Sequence, residues 1–132
     1  MLSIDRTTYD AIVAHARADH PDEACGLVAA RDGRPSRVIP MTNAARSPTF
    51  YEMDPIEQLH AFREIEDNGE ELLVIYHSHT ATEAAPSRTD ISIAAYPEAH
   101  YVLVSTRDPD TEEFRSFRIV DGVVTEEPVA VD

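Results

Sequence analysis

Apolar residues recur along the chain with two periods, and these divide it into helices and strands. Over residues 5–19, Tyr9, Ile12, Val13 and Ala16 fall three and four apart, which predicts a helix capped by Thr7 or Thr8. Pro21 ends the turn after it. The short apolar run "ACGLVAA" predicts a strand, closed by the hairpin pair Asp32-Gly33. "SRVIPM" and "TFYEM" predict two further strands on either side of the loop "TNAARSP". Asp54-Pro55-Ile56-Glu57 reads as a helix start, with Asp54 as N-cap, Pro55 at the first helical position and Glu57 closing a capping box. Ile56, Leu59, Phe62 and Ile65 then form one apolar stripe, and Asn68-Gly69 ends the helix.

The next run, "LLVIY", has no polar interruption, the mark of a central strand buried on both faces. His77 and His79 follow at its C-terminal end. Residues 87–96 predict a short helix, and "HYVLVS", "FRSFRIV" and "VVTEEPVAV" predict closing strands. This order of elements predicts an α/β fold, a mixed central β-sheet with helices packed on its faces.

Length adds that residues 1–132 make one domain. No apolar run approaches the roughly 20 residues that span a bilayer. The start "MLSIDRTTYD" has neither the basic nor the apolar region of a secretory signal, so a cytoplasmic location is expected. Acidic residues number 25 against 11 basic ones, all arginine, for a net charge of -14. That excess argues against nucleic acid and anionic membrane as partners, since both require positive charge to displace counterions. The absence of lysine removes every lysine-based mechanism. The single cysteine, Cys25, excludes an internal disulfide and a cysteine-rich zinc module, and within an apolar run it reads as a small core residue. Any metal must therefore be held by His, Asp or Glu.

The stretch that carries chemistry is "HSHTATEAAPSRTD", His77 to Asp90. On an extended chain, residues two apart point to one side about 6.7 Å from each other, so both imidazoles can converge on one ion while Ser78 points away. Two imidazoles and a carboxylate suit Zn²⁺ with one position open for water, and Asp90 would supply the carboxylate. The competing reading is that Ser87-Arg88-Thr89-Asp90 merely starts a helix as a capping box. Capping does not explain two histidines at the mouth of an apolar strand, where unpaired imidazoles would be costly to bury. Both readings can hold together.

The pattern H-x-H-x7-S-x2-D resembles the JAMM/MPN+ metallopeptidase signature, in which an upstream glutamate joins it. "HPDEACGLV" resembles that family's first strand and maps the glutamate to Glu23, which alone would pass for an ordinary exposed acid. The resemblance implies a cytidine deaminase-like JAMM/MPN fold and one zinc ion per chain on His77, His79 and Asp90. It also implies Glu23 as general base and Ser87 as oxyanion donor. "IPMTNAARSPTFY", "VIYHSHTATEAAPSRTD" and "AHYVLVSTRDP" are similar to the Mec-type branch, which shares Thr80 where many members have proline. That branch implies a partner: a ubiquitin-like sulfur carrier of the CysO type, ending in Gly-Gly and carrying cysteine, whose tail lies extended beside a sheet edge. Released cysteine bears a carboxylate, for which Arg46 and Arg88 are the candidate cations. The alternatives are a peptidase acting on another tail and a metal-free scaffold of the same fold. His15, His20 and His60 read as helix-surface or turn residues, and His100 as a possible support for the metal ligands.

Overall fold

The computed structural model describes residues 1–132. The chain runs β1 (Leu2–Ile4), α1 (Arg6–Asp19), β2 (Cys25–Arg31), β3 (Arg34–Met41), α2 (Pro55–Asp67) and β4 (Glu71–His79). It continues through α3 (Arg88–Ile93), β5 (His100–Ser105), β6 (Glu113–Val120), β7 (Val123–Glu127) and β8 (Val129–Val131). Six strands form one sheet in the order β3-β2-β4-β5-β6-β7, and β1 pairs with β8 in a separate two-stranded parallel ribbon. Within the large sheet β4 and β5 are parallel and the other pairs antiparallel, so the expected mixed α/β sheet is present.

Alternation along the strands divides the core between two faces. Val28, Val74, Tyr76, Val102 and Val104 face α1 and the β1–β8 ribbon, whose Ile12, Ala16, Leu2 and Ile4 complete that cluster. Cys25, Leu27, Ile75 and Tyr101 face the other way, toward Ala61 and Ile65 of α2. β4 is central, as its unbroken apolar run predicts, and Val74 to His79 are all buried. Between β2 and β4 the Tyr76 ring passes over Gly26, where a Cβ would lie 2.3 Å from ring atoms; only glycine admits that approach. The Tyr76 hydroxyl then reaches His15 Nδ1 at 2.6 Å, so His15 packs against the sheet instead of lying free on the helix surface.

Several local expectations are corrected. Neither Thr7 nor Thr8 caps α1; Asp5 is the N-cap residue, and the Thr8 hydroxyl donates to its carboxylate. Asp54 caps α2 by accepting from Ile56 N–H and Glu57 N–H at 2.9 and 3.1 Å. Glu57 does not close the box, however, because its carboxylate accepts from Thr42 N–H at 2.9 Å. The segment "TFYEM" is no strand: it makes a single bridge, Asn43 to Met53, and its polar groups are held locally, the Phe50 carbonyl by the Asn43 amide, the Glu52 N–H by the Asn43 side-chain oxygen and the Glu52 carbonyl by Ala44 N–H. The third helix stops at Ile93, short of residue 96. "VVTEEPVAV" breaks at Pro128, which cannot donate to a ladder, and its second half leaves the sheet to pair with β1, a strand the sequence pattern was too short to mark. No helix is long and apolar enough to cross a membrane.

Candidate metal centre

β4 delivers both histidines. Cys25 of β2 stands opposite His77 on one side and Leu103 of β5 on the other, so His77 and His79 emerge from the middle of the sheet, on the α2 side. Their rings lie edge to face with centroids 5.2 Å apart. Ser78 points to the opposite side, fully buried, and its hydroxyl accepts from Ala24 N–H at 2.8 Å. That bond, with Ser78 N–H to the Ala24 carbonyl at 3.0 Å, pins the start of β2 to the end of β4. Glu23, next in the chain, is brought beside the histidines and is buried, not an exposed turn acid.

Asp90 arrives on α3. The Ser87 hydroxyl accepts from Asp90 N–H at 3.1 Å and Ser87 N–H donates to Asp90 Oδ2 at 2.8 Å, so the capping box is complete. The same carboxylate lies 3.2 Å from His77 Nε2 and 3.1 Å from His79 Nε2. The capping box therefore fixes the carboxylate in the orientation that meets both imidazoles. The offered ligand atoms of His77, His79 and Asp90 all lie within 4.8 Å of one another.

The donor set fits a divalent ion. His79 Nδ1–H donates to the Glu83 carbonyl at 3.0 Å, which leaves Nε2 as the bare nitrogen facing the others. His77 is buried with no hydrogen-bond partner on either ring nitrogen, since Asp90 lies near its Nε2 but off hydrogen-bond geometry. Burial of an unpartnered imidazole is costly unless something occupies its lone pair. Tyr51 stacks on the His77 ring with centroids 4.5 Å apart and a 27° interplanar angle, closing it from above.

Electrostatics distinguish the two histidines. Burial pushes His77 below its ordinary value, overriding the opposing pull of Asp90. Burial likewise works against the charged form of His79, but the Asp90 carboxylate, the Glu83 carbonyl and Glu23 together raise it. Burial would raise Asp90 too, and the two histidines and Ser87 N–H hold it well below the usual carboxylate range. Glu23 is pushed up to about 7, first by burial, with His79 pulling it down and Asp90 pushing it up.

Two cavities open on this centre and share Phe50, Tyr51, Asp90 and Ile93 as their common lip. One, about 450 Å³, is largely apolar and runs past His77 toward Met53, Phe62, Tyr96 and Tyr101. The other, about 250 Å³, is polar and holds Glu23, His79, Thr80, Thr82, Ser87 and Thr89. Arg46 lines a third cavity, which shares Glu23 with the polar one. Arg88, exposed on α3, lines neither cavity that opens on the histidines. His100 pairs with Glu127, away from His77, His79 and Asp90. Tyr51 and Asn43 went unrecognised in the sequence, since an aromatic in a presumed strand and an asparagine in a presumed loop carry no spacing signal.

Residues 5–120 match the family model described as prokaryotic homologs of the JAB domain. The chain belongs to this JAB-domain family. The CysO-cysteine peptidase of Mycobacterium tuberculosis is 64% identical over 133 residues, covering 99% of this chain and 91% of that protein. A Thermus thermophilus protein named a probable TtuB-protein conjugate cleaving protease is 36% identical over 123 residues, covering 92% of this chain and 78% of that one. The solution structure of a Desulfitobacterium hafniense protein superposes with a TM-score of 0.87 at 37% identity, covering 100% of this chain and 93% of that one. This JAB domain is thus a hydrolase of the peptidase class, with a His-His-Asp group placed to hold a metal ion.

Proposed function

We propose that the chain is a zinc peptidase that hydrolyses the amide between the C-terminal glycine of a ubiquitin-like sulfur carrier protein and cysteine, releasing cysteine. The observation that carries this reading is the convergence of His77, His79 and Asp90 beside a buried glutamate where the apolar and polar cavities meet. The name of the 64% identical relative supports the substrate. A cytoplasmic location accompanies it, where a thiol product stays reduced.

His77, His79 and Asp90 would hold the zinc, which would supply a water that ionises near neutral pH and a Lewis acid for the scissile carbonyl. Glu23, raised to about 7 by burial, is suited to accept a proton from the attacking water and return it to the departing nitrogen. The Ser87 hydroxyl accepts from Asp90 N–H, so its own proton is free to donate to the developing oxyanion. Arg46 shares a cavity with Glu23 and is the arginine we assign to the cysteine carboxylate in preference to Arg88.

Incubating a purified carrier-cysteine adduct with the zinc-loaded protein and weighing the carrier by mass spectrometry tests the reading. Loss of one cysteinyl residue is expected, and an adduct of unchanged mass rejects it. A second reading, a peptidase for protein conjugates of a ubiquitin-like modifier, is favoured by the Thermus relative's name, and the same assay run on such conjugates separates the two.

A further inference from the structure

The segment 44–52 forms one wall of the polar cavity, through Pro48, Thr49, Phe50 and Tyr51. Its carbonyls are held from three directions. Glu23 N–H donates to Ser47 O at 2.9 Å, the buried Asn43 amide donates to both Glu23 O and Phe50 O at 3.0 Å, and the Thr80 hydroxyl donates to Pro48 O at 2.8 Å. The Asn43 carbonyl oxygen also accepts from Ala45 and Glu52 N–H at 3.0 Å, which uses that side chain's capacity on the wall and the Glu23 strand. Thr80 makes the one hydrogen bond that joins the wall to the β4 end that carries the metal ligands. Thr80 itself is 9% exposed and lines the cavity opposite Pro48.

The position of Glu23 decides which cavity takes the leaving group. A proton must be returned to the departing nitrogen within hydrogen-bond reach, and Glu23 lines the polar cavity and the Arg46 cavity but not the apolar one; of those two, only the polar cavity also holds His79, Ser87 and Asp90. The leaving amino acid therefore occupies the 250 Å³ polar side, with its carboxylate directed past Glu23 toward the Arg46 cavity, and the carrier tail the larger apolar side. That volume is below the range of roughly 300 to 1,000 Å³ that holds drug-sized ligands. It suits a single small amino acid.

The geometry points to Thr80 as a specificity-determining residue: by tying Pro48 to the end of β4 it keeps this compartment small, admitting a free small amino acid and excluding a bulky or protein-linked leaving group. The inference rests on the peptidase reading above. Its test uses the zinc-loaded full chain on carrier tails ending Gly-Gly-X, with X as Cys, Ala or Trp, and on a carrier linked to a protein lysine. Wild type is expected to favour Cys and Ala. Thr80→Val and Thr80→Ala should each lower the Cys-to-Trp ratio of kcat/KM by roughly threefold to tenfold, the range one hydrogen bond spans, chiefly through KM. Thr80→Ser, which keeps the hydroxyl, should restore the wild-type ratio. Amide hydrogen exchange over 44–52 should quicken in Thr80→Val and Thr80→Ala but not in Thr80→Ser, with zinc content equal in all. A wild-type ratio in both Val and Ala variants, or a Ser variant that behaves like them, overturns the assignment. If wild type cleaves Trp or lysine-linked tails as readily as Cys, the size filter falls while the peptidase reading stands; if it cleaves none of the tails, both fall.

Discussion

His100 gives its Nδ1–H to Glu127 at 2.7 Å, and the same carboxylate takes the Ser116 hydroxyl at 3.0 Å and the chain's amino terminus at 3.1 Å. His77 and His79 also meet a carboxylate, Asp90, yet both nitrogens of His77 stay buried without a partner. Both clusters pair histidine with an acid inside the fold. The first is satisfied within the protein and reads as structural; the second has spare lone pairs aimed at one point. Burial of ionisable groups thus does not by itself mark a site, and unmet bonding capacity does.

The sharpest way to break the comparison is to remove one histidine from each cluster. His77→Ala should lose the metal, read by elemental analysis, and with it all measurable turnover. His100→Ala should keep full metal content and turnover and lose about 1 to 3 kcal/mol of stability in urea, because Glu127 gives up one of its partners. Full metal occupancy in His77→Ala would show that its nitrogens are merely tolerated. Next in size, Glu23→Gln should bind metal normally and lose turnover on the order of a thousandfold, since an amide cannot carry the proton. Turnover near wild type would place the base elsewhere.

Ser87→Ala separates two functions of one hydroxyl. The cap on α3 is worth about 1 kcal/mol, while an oxyanion donor is worth on the order of a hundredfold in kcat. A kcat loss well beyond a tenfold, with metal content retained, supports the donor. A small kcat loss accompanied by lost metal would mean that Ser87 serves only to orient Asp90.

How much of this was legible in the sequence follows from the range of each interaction. His77, His79, Ser87 and Asp90 stand within fourteen residues on a strand end, a loop and a helix start, so spacing alone shows that they can converge. β4 was plain from its apolar run, and the β2–β3 hairpin from Asp32-Gly33, which both adopt positive φ. Glu23 was reachable only through the family resemblance, because what buries it is Ser78 gripping Ala24 across 54 residues. The segment 49–53, which ends the wall, was misread as a strand for a related reason: the wall's order comes largely from Asn43 and Thr80 side chains, which leave no periodic trace. The Ile56-Leu59 half of the α2 stripe faces outward at 67% and 51% exposure, so periodicity located an apolar face but not its full cover.

The smallest effect contrasts the two glutamates through pH. Burial opposes the charge of Glu127, but His100, the amino terminus and Ser116 hold it below its ordinary value of 4.5. Its contribution to stability is therefore present above about pH 4.5 and lost as pH falls through its folded value. Glu23 has the opposite sign. Raised from 4.5 to about 7, it favours the fold fully below pH 4.5 and loses that contribution as pH rises through about 7. In metal-free protein at pH 8, Glu23→Gln should accordingly stabilise by about 1 to 2 kcal/mol, a full shift discounted for solvent screening, and Glu127→Gln should destabilise. The Glu23→Gln gain should shrink steadily on acidification from pH 8 toward 4.5 in urea titrations. A gain that persisted unchanged at low pH would mean that Glu23 is ionised in the fold as readily as outside it, and that its burial leaves it no readier to take a proton at neutral pH than an exposed acid.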